Sequence, residues 1–466
     1  MKKQAVVLVH GIGEQRPMDT VREFVKSVWV KDKALDNTRY WNKPSEISGS
    51  FEHRRLTTDY ATIKGQNKQT SRVDFYEYYW AHHTVGTSTE HLKAWLFSVL
   101  LRKPSDFPKP LQRLLFLVWF LIAAIFALTW FIADPLNQSS MTAPDVSKSL
   151  LVSLIKPLIV IVLSALLVKI VSYLGDVARY VMASPSNIRV RQAIRDGGVD
   201  LLKNIAATGK YDRIVLVGHS LGSIIAYDVL TQYWAQNNKF KNVQGEPLEL
   251  SKPALTLIEK METLSVEEEC EEYQRLQYAL FRQLQLDCAD VENDRAAHCP
   301  WLISDLVTIG SPLTYADFLL FKHAQEFTDR KLDRQYPTLP PVKENGHYTY
   351  QTGERKYLHH SAVFCLTRWT NIYSKPFWVF GGDIVSGPVE NAFSAPYSCG
   401  KTQSEKTNGL LPIKDIDVEA AFPGLFPRLF THTHYWRWHP EFEKKLPEHI
   451  VVLQDSLDLK RKRSPN

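Results

Sequence analysis

The sequence predicts an α/β fold built on a mostly parallel sheet, and three observations carry that expectation. Two strand-like runs, AVVLV at 5–9 and RIVLV at 213–217, each end in a glycine-containing turn followed by helical spacing. A third run, LISDLVTI at 302–309, is closed by Gly310-Ser311-Pro312. Strands that alternate with helical patterns imply crossover connections and hence parallel pairing.

In chain order, Ala5–Val9 reads as a buried central strand ending in His10-Gly11-Ile12-Gly13. Val21, Phe24, Val25 and Val28 then recur at helical spacing within 20–30. Residues 31–70 are mixed and polar and read as a loop excursion. The aromatic run VDFYEYYW at 73–80 predicts a strand. Val190, Ile194, Val199, Leu202 and Ile205 predict a helix over 187–206, and 223–233 predicts another after the second glycine turn. Residues 235–300 read as an insertion, with an acidic run at Glu267–Glu272 and helical spacing at Leu276, Leu280 and Leu284. A further strand is expected at 362–367, before the polar Arg368-Trp369-Thr370-Asn371. The segment 451–466 is a basic tail, whose Lys460-Arg461-Lys462-Arg463 reads as a frayed end that can also touch anionic lipid.

The chain has 466 residues with 44% hydrophobic and 23% charged residues, which excludes a disordered chain. A net charge of +6 is mild for this length and gives no reason to expect nucleic acid. Cys270, Cys288, Cys299, Cys365 and Cys399 form no CxxC pair, so a reducing compartment fits better than a disulfide framework or zinc ribbon. The apolar content is unevenly spread. Leu114–Ala133 runs twenty residues without a charge, a helical rise of about 30 Å, the thickness of a bilayer core. Leu150–Leu174 is a second apolar run, interrupted by Lys156 and Lys169 near its ends, where long side chains reach the interface. Together they predict a two-helix transmembrane hairpin. Arginine and lysine flank both spans on their outer sides, so the flanking segments are expected in the cytoplasm and the short loop outside. The start Met-Lys-Lys, with five apolar residues before His10, does not read as a secretory signal.

The chemistry centres on Ser220 in Gly218-His219-Ser220-Leu221-Gly222, which fits G-x-S-x-G between a strand and a helix. Such a turn holds a serine hydroxyl clear of the sheet, and the new helix offers the Leu221 N–H and a positive dipole end to an oxyanion. His10-Gly11-Ile12-Gly13 is the second signal: a loop after an early strand can supply another oxyanion N–H, here from Ile12, with His10 in a structural role. A nucleotide-binding turn is disfavoured, because neither GxGxxG spacing nor a P-loop lysine is present.

VVLVHGIG followed far downstream by IVLVGHSLG resembles the α/β-hydrolase superfamily, in particular its lipase- and esterase-like serine hydrolases. The resemblance covers about 5–80, 187–233 and 302–440. It implies an α/β-hydrolase-like sheet interrupted by the hairpin and by a helical insertion. The corresponding divisions are 1–105, 181–234 and 301–450 for the hydrolase, 106–180 for the hairpin and 235–300 for the insertion. That insertion and the 31–70 excursion are the candidate lids. The superfamily's chain order of serine, acid, histidine directs the search for partners. The ending THTHYW at 431–436 is similar to an H-x-x-Y-W pattern of lipase-like relatives, which selects His432 as general base; His434 is the alternative, with His439 and His449 behind it. The acid is expected at the glycine-flanked Asp383 of GGDIV; Asp417 and Asp415 are alternatives, and Asp305 and Asp317 lie further from expectation.

These roles imply a metal-free and cofactor-free Ser220–His432–Asp383 triad with Leu221 and Ile12 as the oxyanion hole. The expected activity is hydrolysis of carboxylic esters, with a lipid or other acyl ester as substrate and a membrane as partner. The alternatives are an acyltransferase or thioesterase with the same triad, a lipolytic toxin-like effector, and a catalytically inactive membrane-anchored scaffold. The resemblance also implies a bacterial source, and with it the inner membrane. Oligomeric state is open.

Overall fold

A computed structural model of the chain describes all residues except 1–2, 12–15, 48–53, 67, 85–102, 134–157, 162, 165–179, 181–184, 241–247, 265–269, 290–300, 322, 378–380, 397–411, 426, 430 and 461–466. The chain divides into two compact units, one of 1–85 with 184–466 and one of 86–183.

The larger unit is an α/β domain around an eight-stranded sheet. Its strands are β1 (Lys3–Val9), β2 (Tyr40–Pro44), β3 (Arg54–Thr58), β4 (Val73–Tyr78), β5 (Tyr211–His219), β6 (Ile303–Ile309), β7 (Arg368–Tyr373) and β8 (Lys414–Asp417). The spatial order is β8-β7-β6-β5-β1-β4-β3-β2. β4, β1, β5, β6, β7 and β8 are mutually parallel, and β3 and β2 continue the sheet in antiparallel fashion. Every residue of β4 and β6 is buried, and β1 is buried from Gln4 on. Helices covering both faces demand this, and it explains why these strands read as continuous runs.

One face packs Val6, Leu8, Phe75, Val215 and Val217 against Phe24, Trp29, Trp436 and Ile450. Helix Leu221–Asn237, which starts at the end of β5, packs along helix Pro185–Ala207. Arg195 of the latter holds Asp228 of the former through Nε and Nη2 at 2.9 and 2.6 Å.

The chain leaves β1 toward β4, β3 and β2 on one side, and β5 through β8 build the other. The sheet therefore switches direction between β1 and β5. The carboxyl ends of the strands at such a switch are the place where open α/β sheets hold their ligands.

Two sequence expectations are corrected. The 31–70 excursion is not a loop: it supplies β2 and β3 and a small three-stranded sheet of Leu35–Asp36, Thr62–Ile63 and Lys68–Gln69. Its strands are short and β2 is largely exposed, so they lack the apolar alternation that marks a strand. The strand expected at 362–367 lies later, at Arg368–Tyr373, and Val363–Cys365 form a buried 3-10 turn. The polar residues of β7 are satisfied by distant segments. Asn371 accepts from Thr308 Oγ1 at 2.9 Å and donates to Asp415 Oδ1 at 2.6 Å, and Arg368 pairs with Asp305 at 2.6 Å.

The helices of the 235–300 insertion are Lys252–Thr263 and Cys270–Ala289. Leu276, Leu280 and Leu284 are buried, as their spacing predicts. The second helix bonds at the amino ends of strands: Gln285 donates to Asp212 O and Gln277 to Thr367 O.

In the smaller unit, helix Lys109–Ala133 is long and apolar enough to cross a membrane, with a window of mean hydropathy 2.3 inside Lys109–Trp130. Only 22% of that window is buried, unlike the core helix of a soluble domain. Phe116, Phe120, Phe126 and Trp130 are more than half exposed. Thr129 satisfies its hydroxyl on the carbonyls of Ile125 and Phe126, at 2.9 and 2.8 Å. Most of the second apolar run at 150–174 lies outside the described residues; 158–161 and 163–164 are helical.

Candidate active site

Ser220 stands between the end of β5 and the first residue of helix Leu221–Asn237. Its backbone has φ 54° and ψ −130°, a conformation that costs a non-glycine residue about 1–3 kcal/mol. The surroundings enforce it. The Ser220 N–H donates to Ile309 O of β6 at 3.0 Å, and its carbonyl accepts from the Ser223 N–H at 2.9 Å and the Ser223 hydroxyl at 2.6 Å. Ser223 Oγ also meets Ser311 Oγ at 2.6 Å, tying the elbow to the turn after β6. Leu221, the expected oxyanion donor, opens the helix.

The loop after β1 closes on this elbow. A Cβ on Gly11 would lie 2.9 Å from Ser220 Cβ, so only glycine lets the chain pass there. Ile12, the other expected oxyanion donor, lies outside the described residues. His10 is structural. Its Nδ1–H donates to Gly11 O at 2.8 Å, its Nε2 accepts from the Trp80 N–H at 3.3 Å, and its ring stacks on Trp80. Burial pushes its pKa down to about 4.

Asp383 and His432 are brought together. The acid sits on the loop after β7 and the histidine on a 3-10 turn, Thr431–Thr433. Backbone bonds join the two segments, from the Gly382 N–H to Arg428 O at 2.9 Å and from the Thr431 N–H to Gly382 O at 3.4 Å. His432 Nδ1 lies 2.8 Å from Asp383 Oδ2. Burial alone would raise the Asp383 carboxyl. The His432 ring and hydrogen bonds from His432, Tyr435 and Ser386 outweigh it and hold Asp383 below the ordinary carboxylate range. An ionised carboxylate only accepts, so Nδ1 carries a proton and donates it to Asp383 Oδ2.

The pair also adjoins the nucleophile. His219, next to Ser220, donates from Nε2 to His432 O at 2.9 Å, and the two rings are 5.1 Å apart. A Cβ on Gly310, which follows the carbonyl that holds Ser220, would lie 3.1 Å from Asp383 Oδ2 and 3.3 Å from His432 Nδ1. Asp383 and His432 thus lie beside His219 and Gly310, at the carboxyl ends of β5 and β6.

The alternatives are placed elsewhere. His434 packs on Phe422 with ring centroids 5.2 Å apart. His439 Nδ1 accepts from the Glu441 N–H at 3.3 Å, and His449 is buried in helix Glu448–Leu457. Asp417 Oδ1 accepts from the Lys375 N–H at 3.0 Å. Asp415 accepts from Asn371 and from the Val389 and Glu390 amides. Asp305 is clamped by Arg213 and Arg368 toward the amino ends of the strands, and Asp317 accepts from the Phe318 N–H.

Sequence reasoning missed three supporting residues. Tyr435 donates to Asp383 Oδ2 at 2.8 Å, His219 anchors the histidine turn, and Ser311 braces the elbow. Tyr435 stood in the H-x-x-Y-W pattern without a role, and His219 within G-x-S-x-G.

The buried histidines predict an acid-labile fold. Burial lowers His10, His359 and His449 to about 4 and His219 to about 3, from 6.5. Their neutral forms contribute stability above pH 6.5 that is lost as pH falls. Burial raises Glu77 and Glu390 to about 7, so these act in the opposite sense between pH 4.5 and 7. Between pH 6 and 5 the unfolded chain takes up about two more protons than the folded one. Stability should therefore fall as pH drops through that window, read by denaturant unfolding across pH.

No family model, curated protein or solved structure matches the chain.

Proposed function

We propose that the chain is a membrane-anchored serine hydrolase that cleaves carboxylic esters, with lipids as the substrate class. The observation that carries the reading is the Asp383–His432 bond of 2.8 Å, beside a serine held at φ 54°. A satisfied core histidine would not need an ionised buried partner at the carboxyl ends of the strands, whereas a general base does.

In this mechanism Ser220 Oγ attacks the ester carbonyl while His432 Nε2 takes its proton. Asp383 keeps the ring in the required tautomer and stabilises it when charged. The Leu221 N–H, with that of Ile12, receives the oxyanion. The same ring returns the proton to the leaving alcohol and then activates the water that releases the acid. The exposed apolar helix supports the lipid assignment, because anchorage raises the local concentration of a membrane substrate. With Leu150–Leu174 as a second span, the catalytic unit faces the cytoplasm, and the membrane is the bacterial inner membrane.

Fluorophosphonate treatment of the detergent-solubilised protein tests this, with peptide mapping. Labelling at Ser220, absent in Ser220→Ala, is expected. A folded wild-type protein that stays unlabelled would remove the hydrolase reading and leave a scaffold.

A further inference from the structure

Tyr435 is buried, and its single hydroxyl is fully committed. The Ser374 N–H donates to it at 2.9 Å, so one lone pair is fixed. The phenol proton goes to Asp383 Oδ2 at 2.8 Å, the oxygen that also takes the His432 Nδ1 proton at 2.8 Å. Asp383 Oδ1 is occupied separately, by the Val385 N–H at 3.0 Å, and Ser386 Oγ lies 3.2 Å from the phenol. One carboxylate oxygen is therefore shared between a fixed phenol and the ring of the base.

We propose that Tyr435 is a positioning residue that sets the base strength of His432 by competing with it for Asp383 Oδ2. The proposal rests on the hydrolase reading above. The reasoning follows from charge. Each donor on a carboxylate draws off part of its negative charge. With the phenol removed, Oδ2 attracts the Nδ1 proton more strongly, the charged ring is better stabilised, and a higher pH is needed to free the base. The phenol thus weakens the hold of Asp383 on the Nδ1 proton.

The other titratable groups facing the pair do not compete for this role. His219 is buried and pushed down to about 3, so it is neutral, and it touches the backbone of His432 rather than the carboxylate. Tyr315, whose hydroxyl donates to Ile384 O at 3.3 Å, is pushed upward by burial and by Asp383 and is likewise uncharged. Tyr435 itself is held well above its ordinary value by burial and by Asp383, so it remains a donor.

The test is the pH dependence of fluorophosphonate inactivation, which needs no knowledge of the natural substrate. Tyr435→Phe should move the midpoint of the acid limb upward by about 0.5–1 pH unit. Incorporation of 3-fluorotyrosine at 435 keeps the phenol and makes it a stronger donor, so it should move the midpoint downward. If the Phe variant does not fold, the downward shift alone decides. Variants that keep the wild-type midpoint and change only the maximal rate overturn the proposal and make Tyr435 a packing residue, with the hydrolase intact. Wild-type protein that shows no inactivation at any pH overturns both readings together.

Discussion

Asp383→Asn is expected to lower the rate of ester hydrolysis and of fluorophosphonate labelling by about 10⁴-fold, the scale on which a mis-set histidine tautomer acts. Every group around this carboxyl is a donor. Oδ2 takes His432 Nδ1 and the Tyr435 hydroxyl, and Oδ1 takes the Val385 N–H. An asparagine must turn its NH₂ toward one of these sets. Turned toward His432, it donates to Nδ1 and forces the ring proton onto Nε2, where no proton from Ser220 can be received. Turned toward Val385, it opposes two N–H groups and loses the loop geometry. Either arrangement disables the base while the volume of the side chain is unchanged, so the fold should persist. Asp417→Asn provides the contrast. Asp417, exposed at the end of β8, accepts from the Lys375 N–H, so the variant should retain activity within about twofold, as surface changes away from special features do. Steady-state labelling of the two variants separates the assignments: near-normal labelling of Asp383→Asn with loss in Asp417→Asn would transfer the acid to Asp417.

The same comparison shows which parts of the site the sequence could carry. β1, β5 and β6 were legible because parallel strands covered on both faces must be apolar throughout. The strand–helix turn at Ser220 was legible because an apolar strand, a glycine-flanked turn and a helical run follow one another there. β7 was displaced by several residues, since its polar side chains are paid for by Asp305, Thr308 and Asp415, all distant in sequence. Asp383, Asp415 and Asp417 differ little as sequence. Only the folded chain places the first against an imidazole and gives the other two to backbone amides and Asn371. His432 and His434 are two residues apart, and a single 3-10 turn directs one to Asp383 and the other onto Phe422. Tyr435 could not be assigned from spacing, because only the folded chain brings its hydroxyl to the Asp383 oxygen that His432 also meets.

The glycines of the nucleophile turn act differently from what a sharp turn implies, and this gives the largest expected effect on stability. The left-handed residue is Ser220 itself, while Gly218 and Gly222 keep ordinary backbone angles. Gly222 is required for contact. A Cβ there would lie 2.2 Å from Val9 O and 2.4 Å from His10 O, distances no real contact shows. The obstacle is backbone of β1, which is bonded to β4 on one side and β5 on the other and cannot yield. The helix would have to lift instead, pulling buried Leu221, Ile224 and Ile225 away from their neighbours. Gly222→Ala should therefore cost about 3 kcal/mol or more, the upper end of overpacking penalties. Gly353→Ala, at φ 63° with nothing within 4 Å of the added carbon, should cost only about 1 kcal/mol of backbone strain. Chemical denaturation of both variants reads the difference. Equal midpoints would mean that the helix does not seat on β1 this closely. A large loss at Gly222 alone ties the stability of the domain to the same close approach that seats Ser220 and Leu221 at the carboxyl end of β5.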